Sequence, residues 1–476
     1  MNLQNATKRN VKWSFIESIS LKLVGFVLSI ILARLLTPSD FGVLAIVNVF
    51  YLMTILFIDG GLREALVQKK DASENDFSTM FWLNIGVAVL FYMVLFVSAP
   101  FIENFYKFEH LSFYIRLQSL TLIIEAFGLI QIVKATKELN LKKITLARIP
   151  ATIISFLVGI GMAYSGFGIV SLIVQQLVNA GLYTLFLVYN VRYKPTLLFS
   201  KQSLQSLYGF GLKLFVVSYI NRMYVQSLNL LYAFFFSTKE LGFYTKSKSL
   251  QGVPIDIIDS AFTKGLYPTM VKVQQHNRLL RKLFLFNVRR LTLVMVLLNG
   301  ILFFNAREII LFLLGEKWSE MAPYLQIAAV GSLFYPINNQ VISIFKAKGK
   351  ANTLLKLETS WKITALVMII TFSILTNFFT VLWVIVILNS IMGFVYLYFC
   401  SKSIQFSFLT EFKTLLLLFF FYYTAGFIAN EIALLFKFNF FLIVKVIIFT
   451  MIYFTFALLF GLKFKEFNLL KLMRFK

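Results

Sequence analysis

The chain is predicted to be an all-α polytopic membrane protein, and three observations predict it. Hydrophobic residues make up 59% of the 476 residues and charged residues only 14%, against about a quarter charged in ordinary soluble domains. Mean hydropathy is +0.79. Apolar runs of the ~20-residue length that crosses a bilayer as a helix recur from one end of the sequence to the other.

Fourteen spans are expected, at 13–36, 41–58, 80–102, 113–133, 147–165, 167–190, 207–236, 241–271, 284–304, 321–345, 354–376, 379–400, 414–436 and 440–461. The segment before the first carries Lys8, Arg9 and Lys12. The run that follows is too long for a cleaved signal peptide and lacks a small-residue cleavage site, so it is expected to stay as an anchor.

A further observation, which sets the topology, is the charge asymmetry of the loops. With these spans, most of the 46 basic residues fall on the side that holds both termini; the other side has only Lys107, Lys239, Arg307, Lys317 and Lys437. One missed helix would exchange every later loop, so the bias supports an even number of spans with both termini cytoplasmic. It also accounts for most of the net charge of +25: basic loops meet anionic lipid, and nucleic acid is not expected as a partner. The tail from Leu462 to Lys476 alternates basic and apolar residues, as in an amphipathic helix lying on the inner surface.

Cys400 is the one cysteine, so no disulfide framework or cysteine metal cluster is available. The two histidines, His110 and His276, fall in loops on opposite sides of the membrane. No metal and no cofactor is expected.

Two turns show an internal duplication. Thr37, Pro38, Ser39, Asp40, Phe41 and Gly42 recur as Ser237, Thr238, Lys239, Glu240, Leu241 and Gly242. In each, a hydroxyl residue and an acid three positions on can cap the next helix, and glycine permits close helix approach. Further on, Tyr114, Ile115, Arg116 and Leu117 resemble Tyr324, Leu325, Gln326 and Ile327, and Lys134, Ala135 matches Lys346, Ala347. Spans 1–6 therefore map onto spans 7–12 in the same orientation, the parallel-repeat plan of transporters that rock two lobes about a cavity. The domains expected are an N-terminal lobe at 1–200, a C-terminal lobe at 201–405, and spans 13 and 14 with the basic tail at 406–476.

The charges inside the spans supply the candidate site. A charge at mid-bilayer costs at least ~2.5–3.5 kcal/mol and so faces a cavity or a partner. Arg34, Arg116, Lys213, Lys264 and Lys445 lie near interfaces, where a long side chain can snorkel. Lys22, Arg222, Lys246 and Lys248 are deeper or grouped; Lys22 lies in span 1 and Arg222 and Lys246 in spans 7 and 8, which the duplication brings toward one central cavity between the lobes. Together with Arg34 they are the candidate substrate-binding cations, suited to an anionic substrate such as a lipid-linked phosphate. The carboxylates at comparable depth are Glu17, Glu125, Asp256 and Asp259; Glu17, Asp256 and Asp259 are candidates for coupling or for lining the pathway. Gly252, Pro254, Gly265 and Pro268 are expected to interrupt span 8, and Pro336, followed by Asn338, Asn339 and Gln340, to interrupt span 10. Those amides either meet sugar hydroxyls or bond between helices.

Several segments resemble polysaccharide flippases: Ala33 to Gly42, Asp59 to Leu62 with Gln68, Lys69 and Lys70, and Gly315 to Trp318. These flippases form the O-antigen and exopolysaccharide branch of the multidrug/oligosaccharidyl-lipid/polysaccharide exporter superfamily. The resemblance implies fourteen helices in two six-helix lobes in the bacterial inner membrane. It implies movement of an undecaprenyl-pyrophosphate-linked oligosaccharide from the cytoplasmic to the periplasmic leaflet by alternating access, alongside the polymerase and glycosyltransferases of the same pathway. Coupling would be to an ion gradient or membrane potential, and no GxxxxGK[ST] phosphate loop occurs. Two rivals are a multidrug/cation antiporter of the same superfamily, which would want acids rather than bases in its cavity, and a membrane polysaccharide polymerase or ligase, which would want catalytic residues in large external loops.

Overall fold

A computed structural model describes residues 20–69, 71–435 and 441–459, apart from some side chains inside five of the helices. Glu17, Lys70 and the tail from 460 onward lie outside the described residues. In chain order the elements are α1 (residues 20–35), α2 (Pro38–Asp59), α3 (Leu62–Gln68), α4 (Glu74–Tyr106), α5 (Leu111–Lys137), α6 (Leu141–Tyr164), α7 (Ile169–Val191), α8 (Lys201–Phe235) and α9 (Thr238–Lys272). They continue with α10 (Asn277–Phe304), α11 (Ala306–Leu313), a 3-10 turn (Glu316–Met321), α12 (Ala322–Gly331), α13 (Tyr335–Ala347), α14 (Ala351–Leu375), α15 (Phe378–Ile404), α16 (Phe408–Leu435) and α17 (Phe441–Leu459). Among the described residues nine helical stretches are long and apolar enough to cross a membrane, which makes this a multi-pass helical membrane protein.

Two expectations about interrupted helices come out differently. α9 is helical from Thr238 to Lys272, with Gly252, Pro254, Gly265 and Pro268 inside it rather than at breaks. Within a long helix the neighbouring backbone bonds hold the geometry around each lost donor. Span 10 is broken, between α12 and α13, where Ser332, Leu333 and Phe334 form a turn and Pro336 occupies the first turn of α13. Proline is tolerated there because the first N–H groups of a helix have no intrahelical acceptor. The short helices α3 and α11 are additions to the expected plan.

Both repeated turns are capped as their residues dictate. Thr37 Oγ1 accepts the Asp40 backbone N–H at 3.3 Å, and Asp40 Oδ2 accepts the Thr37 backbone N–H at 2.8 Å. Ser237 and Glu240 repeat the reciprocal arrangement at 3.2 and 3.1 Å. Each is a capping box, satisfying two backbone donors that the helix start leaves open. Ser39 Oγ and Thr238 Oγ1 lie 2.9 Å apart, so the two turns also touch.

The chain divides into two compact units, residues 1–245 and 246–476. In the first, Leu66, Phe77, Met80, Ile130 and Val133 pack α3, α4 and α5 together, while Ala135, Ala147 and Leu187 join α5, α6 and α7. In the second, Phe284, Val296, Phe345, Tyr422, Phe449 and Tyr453 build a core from α10, α13, α16 and α17. Glu411, 6% exposed, is clamped by Arg289 through Nη2 and through Nε at 3.1 Å. Lys445 does not snorkel: its side chain is 4% exposed, its Nζ donates to the Phe304 carbonyl at 2.8 Å, and Glu308 lies 3.7 Å away.

Candidate functional site

The first unit contains a polar cavity of about 380 Å³. Three helices supply its polar side chains at helical spacing, so that each presents one wet stripe. α5 contributes Gln118, Thr121 and Glu125; α6 contributes Arg148 and Thr152; α7 contributes Gln175, Gln176 and Asn179. Tyr51 of α2 closes one side, Leu21 and Gly25 of α1 and Phe156 of α6 give the apolar part. Small residues make the packing behind this possible. A Cβ at Gly159 would lie 2.8 Å from Gln175 Cβ, and one at Gly128 would lie 2.9 Å from Thr184 Oγ1, so both positions hold α7 close to its neighbours.

A hydrogen-bond network runs round the wall. Tyr51 Oη donates to Glu125 Oε2 at 2.7 Å. Gln118 Nε2 donates to Gln176 Oε1 at 3.1 Å. Asn179 Nδ2 donates to Ser155 Oγ at 3.1 Å and more weakly to Thr152 Oγ1 at 3.4 Å. Arg148 is within electrostatic reach of Glu125, and its guanidinium lies 5.2 Å from the centre of the Tyr183 ring. Gln118 is 1% exposed, yet its Oε1 has no partner. Buried polar atoms are paired in the great majority of cases, so this oxygen is an exception packed out of reach of the cavity.

The candidate residues read from the sequence lie elsewhere on the helices. In the first unit, Lys22 on α1 is half-buried, and Arg34 on α1 and Arg222 on α8 are exposed. Arg222 is within electrostatic reach of the Tyr51 hydroxyl, which brings it near the cavity; none of the three lines it. In the second unit, Lys246 is buried, Lys248 and Asp256 are exposed and Asp259 is half-buried on α9. Asp259 Oδ2 accepts from Asn339 Nδ2 of α13 at 3.0 Å, so of the two roles open to the span-10 amides this one bonds between helices.

Arg148, counted from sequence with the cytoplasmic loops, sits inside α6 and lines the cavity. Glu125 was visible as an intramembrane carboxylate, but its partners were not. The signal that would have found the site is the i, i+3, i+7 placement of Gln118, Thr121 and Glu125 in an apolar span, repeated by Arg148 and Thr152 four apart in the next span.

With this fold and site in place, comparison with known proteins gives the family. The chain belongs to the polysaccharide biosynthesis protein family, whose profile matches residues 31–323. It is similar to the teichuronic acid biosynthesis protein TuaB of Bacillus subtilis (strain 168), with 25% identity over 349 residues covering 72% of this chain and 71% of the relative. It is similar to the lipopolysaccharide biosynthesis protein WzxC of Escherichia coli (strain K12), with 26% identity over 359 residues covering 74% and 72%. Its fold matches that of the lipid II flippase MurJ in an inward closed conformation, at a TM-score of 0.69 and 15% identity over 97% of this chain and 98% of that one.

Proposed function

We propose that the protein is a flippase for lipid-linked oligosaccharides, a transporter rather than an enzyme. It would carry undecaprenyl-pyrophosphate-linked repeat units of a cell-surface polysaccharide from the cytoplasmic to the periplasmic leaflet of the bacterial inner membrane. The observation that carries this reading is the conjunction of family and fold: a polysaccharide biosynthesis sequence on the fold of a lipid II flippase.

In this reading fourteen spans form two six-helix lobes and a C-terminal pair, with both termini cytoplasmic. The lobes alternate access to the two leaflets. Lys22, Arg34, Arg222, Lys246 and Lys248 offer their positive charge to the pyrophosphate, for which charge-assisted hydrogen bonds are the natural chemistry. Glu17, Asp256 and Asp259 serve coupling to an ion gradient or the membrane potential, with no bound cofactor. The polymerase and glycosyltransferases of the same pathway would act before and after it.

Depletion of the protein in its host tests the reading. Lipid-linked oligosaccharide is expected to accumulate on the cytoplasmic leaflet, and to do so again when the depleted cells carry Lys22→Ala or Arg222→Ala at normal expression. Drug sensitivity without accumulation would overturn it in favour of an antiporter, and accumulation of unpolymerised units on the periplasmic side in favour of a polymerase.

A further inference from the structure

We propose that the cavity among α1, α2, α5, α6 and α7 is a saccharide subsite that takes one uncharged sugar residue of the translocated glycan. The proposal rests on the flippase reading for the source of that sugar, and on the cavity alone for its chemistry.

Charge decides against the other ligands of a lipid-linked oligosaccharide. Among the described residues the lining holds one carboxylate, Glu125, and one guanidinium, Arg148, and these two interact. The described lining thus offers a pyrophosphate one cation with an anion beside it, where that group wants several converging cations. A metal cation would find a single carboxylate with an arginine beside it. An undecaprenyl chain would have to desolvate Gln118, Gln175, Gln176, Asn179 and Thr152 without replacing their hydrogen bonds, at a cost for each group.

A sugar hydroxyl both donates and accepts, and the wall offers both in alternation. The half-buried Glu125 carboxylate and the Thr152 hydroxyl accept; Asn179, Gln175 and Arg148 donate. Phe156 supplies the ring face that a sugar's apolar C–H face packs on. The volume, about 380 Å³, is at the low end of the roughly 300–1,000 Å³ of small-molecule sites, which suits one sugar residue rather than a whole repeat unit. Gly25 borders the same space and has nothing within 4 Å of where its Cβ would be, so the cavity is open at that wall.

The test uses cysteine protection on the purified full-length protein, whose one cysteine, Cys400, is buried. Thr152→Cys places a thiol in the wall. Its rate of reaction with a small neutral methanethiosulfonate is measured with methyl glycosides of hexoses, N-acetylhexosamines and 6-deoxyhexoses, and with inorganic pyrophosphate. At least one glycoside is expected to slow the reaction about threefold at saturation of two thirds of the sites, and pyrophosphate to leave it unchanged. The protection should vanish when Gln175→Leu is added. It should also vanish with Gly25→Leu, which fills the space without touching the polar wall and serves if Gln175→Leu fails to fold. Protection by no glycoside, protection by pyrophosphate, or protection that survives Gly25→Leu would overturn the proposal. The readout needs no transport. Protection in a protein whose depletion causes no accumulation of lipid-linked oligosaccharide would keep the sugar site and overturn the flippase reading instead.

Discussion

Gly42 and Gly242 each lie against the other's turn. A Cβ on Gly42 would fall on the carbonyl oxygen of Thr238, one on Gly242 would fall on that of Pro38, and the latter would also come within 3.2 Å of the Gly42 nitrogen. The two repeated turns thus meet through backbone, at equivalent positions 200 residues apart, with Ser39 and Thr238 bonded across the contact. In the proposed topology this contact lies on the periplasmic side.

Alanine at either glycine is therefore expected to force the turns apart, since backbone cannot yield as a side chain can. Gly42→Ala should abolish or strongly reduce polysaccharide export while the protein still reaches the membrane. The complementary pair Ser39→Cys and Thr238→Cys should form a disulfide under oxidation, and export should stop when it forms and return on reduction. Normal export through an intact cross-link would show that the contact does not open during transport.

The caps themselves are a separate matter of stability. Thr37→Ala removes the side chain that receives the Asp40 N–H, and the expected loss is about 1 kcal/mol, seen as a lower unfolding temperature of the purified protein. Ser237→Ala should cost a similar amount, and Thr37→Ser very little.

In the second unit, Arg289→Ala leaves the Glu411 carboxylate nearly buried without its partner. Breaking a fully buried pair costs about 3–5 kcal/mol; because the Arg289 side chain is 36% exposed, about 2 kcal/mol is expected. Arg289→Lys should recover only part of it, for a lysine cannot supply two parallel donors. Thermal unfolding in detergent, compared across the three proteins, reads this directly.

Two glycines in the same unit are filled by aromatic rings. A Cβ at Gly300 would lie 2.8 Å from Phe449 Cε1 and closer still to its Cζ, and one at Gly426 would overlap the Phe304 ring. Gly300→Ala and Gly426→Ala are each expected to destabilise by about 1–3 kcal/mol through overpacking. Pairing Gly300→Ala with Phe449→Leu should restore part of the loss if the ring is the obstacle.

The helices and both capped turns were legible because they depend on local pattern: apolar length sets a helix, and Thr37 with Asp40 or Ser237 with Glu240 sets its start. The break at Ser332–Phe334 was legible only as an expectation at Pro336, while the same rule misplaced breaks in α9, where proline stays inside a long helix. The cavity was not legible. Gln118, Glu125, Arg148 and Asn179 are distant in sequence, and each alone reads as an isolated polar residue; only the packing of α5, α6 and α7, held close at Gly128 and Gly159, makes them one wall. Arg148 escaped because, as the second residue of the span at 147–165, it was counted with the loop charges, and Lys445 because nothing in its own helix announces the Phe304 carbonyl that receives it.

The central claim is tested most directly by transport in a purified system. The protein would be reconstituted into liposomes with lipid-linked oligosaccharide extracted from the host, and the fraction accessible to an externally added glycosidase followed after a gradient or potential is imposed. The account predicts that glycan on the inner leaflet becomes accessible with the wild-type protein and does so far more slowly when Ser39→Cys and Thr238→Cys are cross-linked. Access that is the same in protein-free liposomes, or that is unchanged by the cross-link, would contradict it.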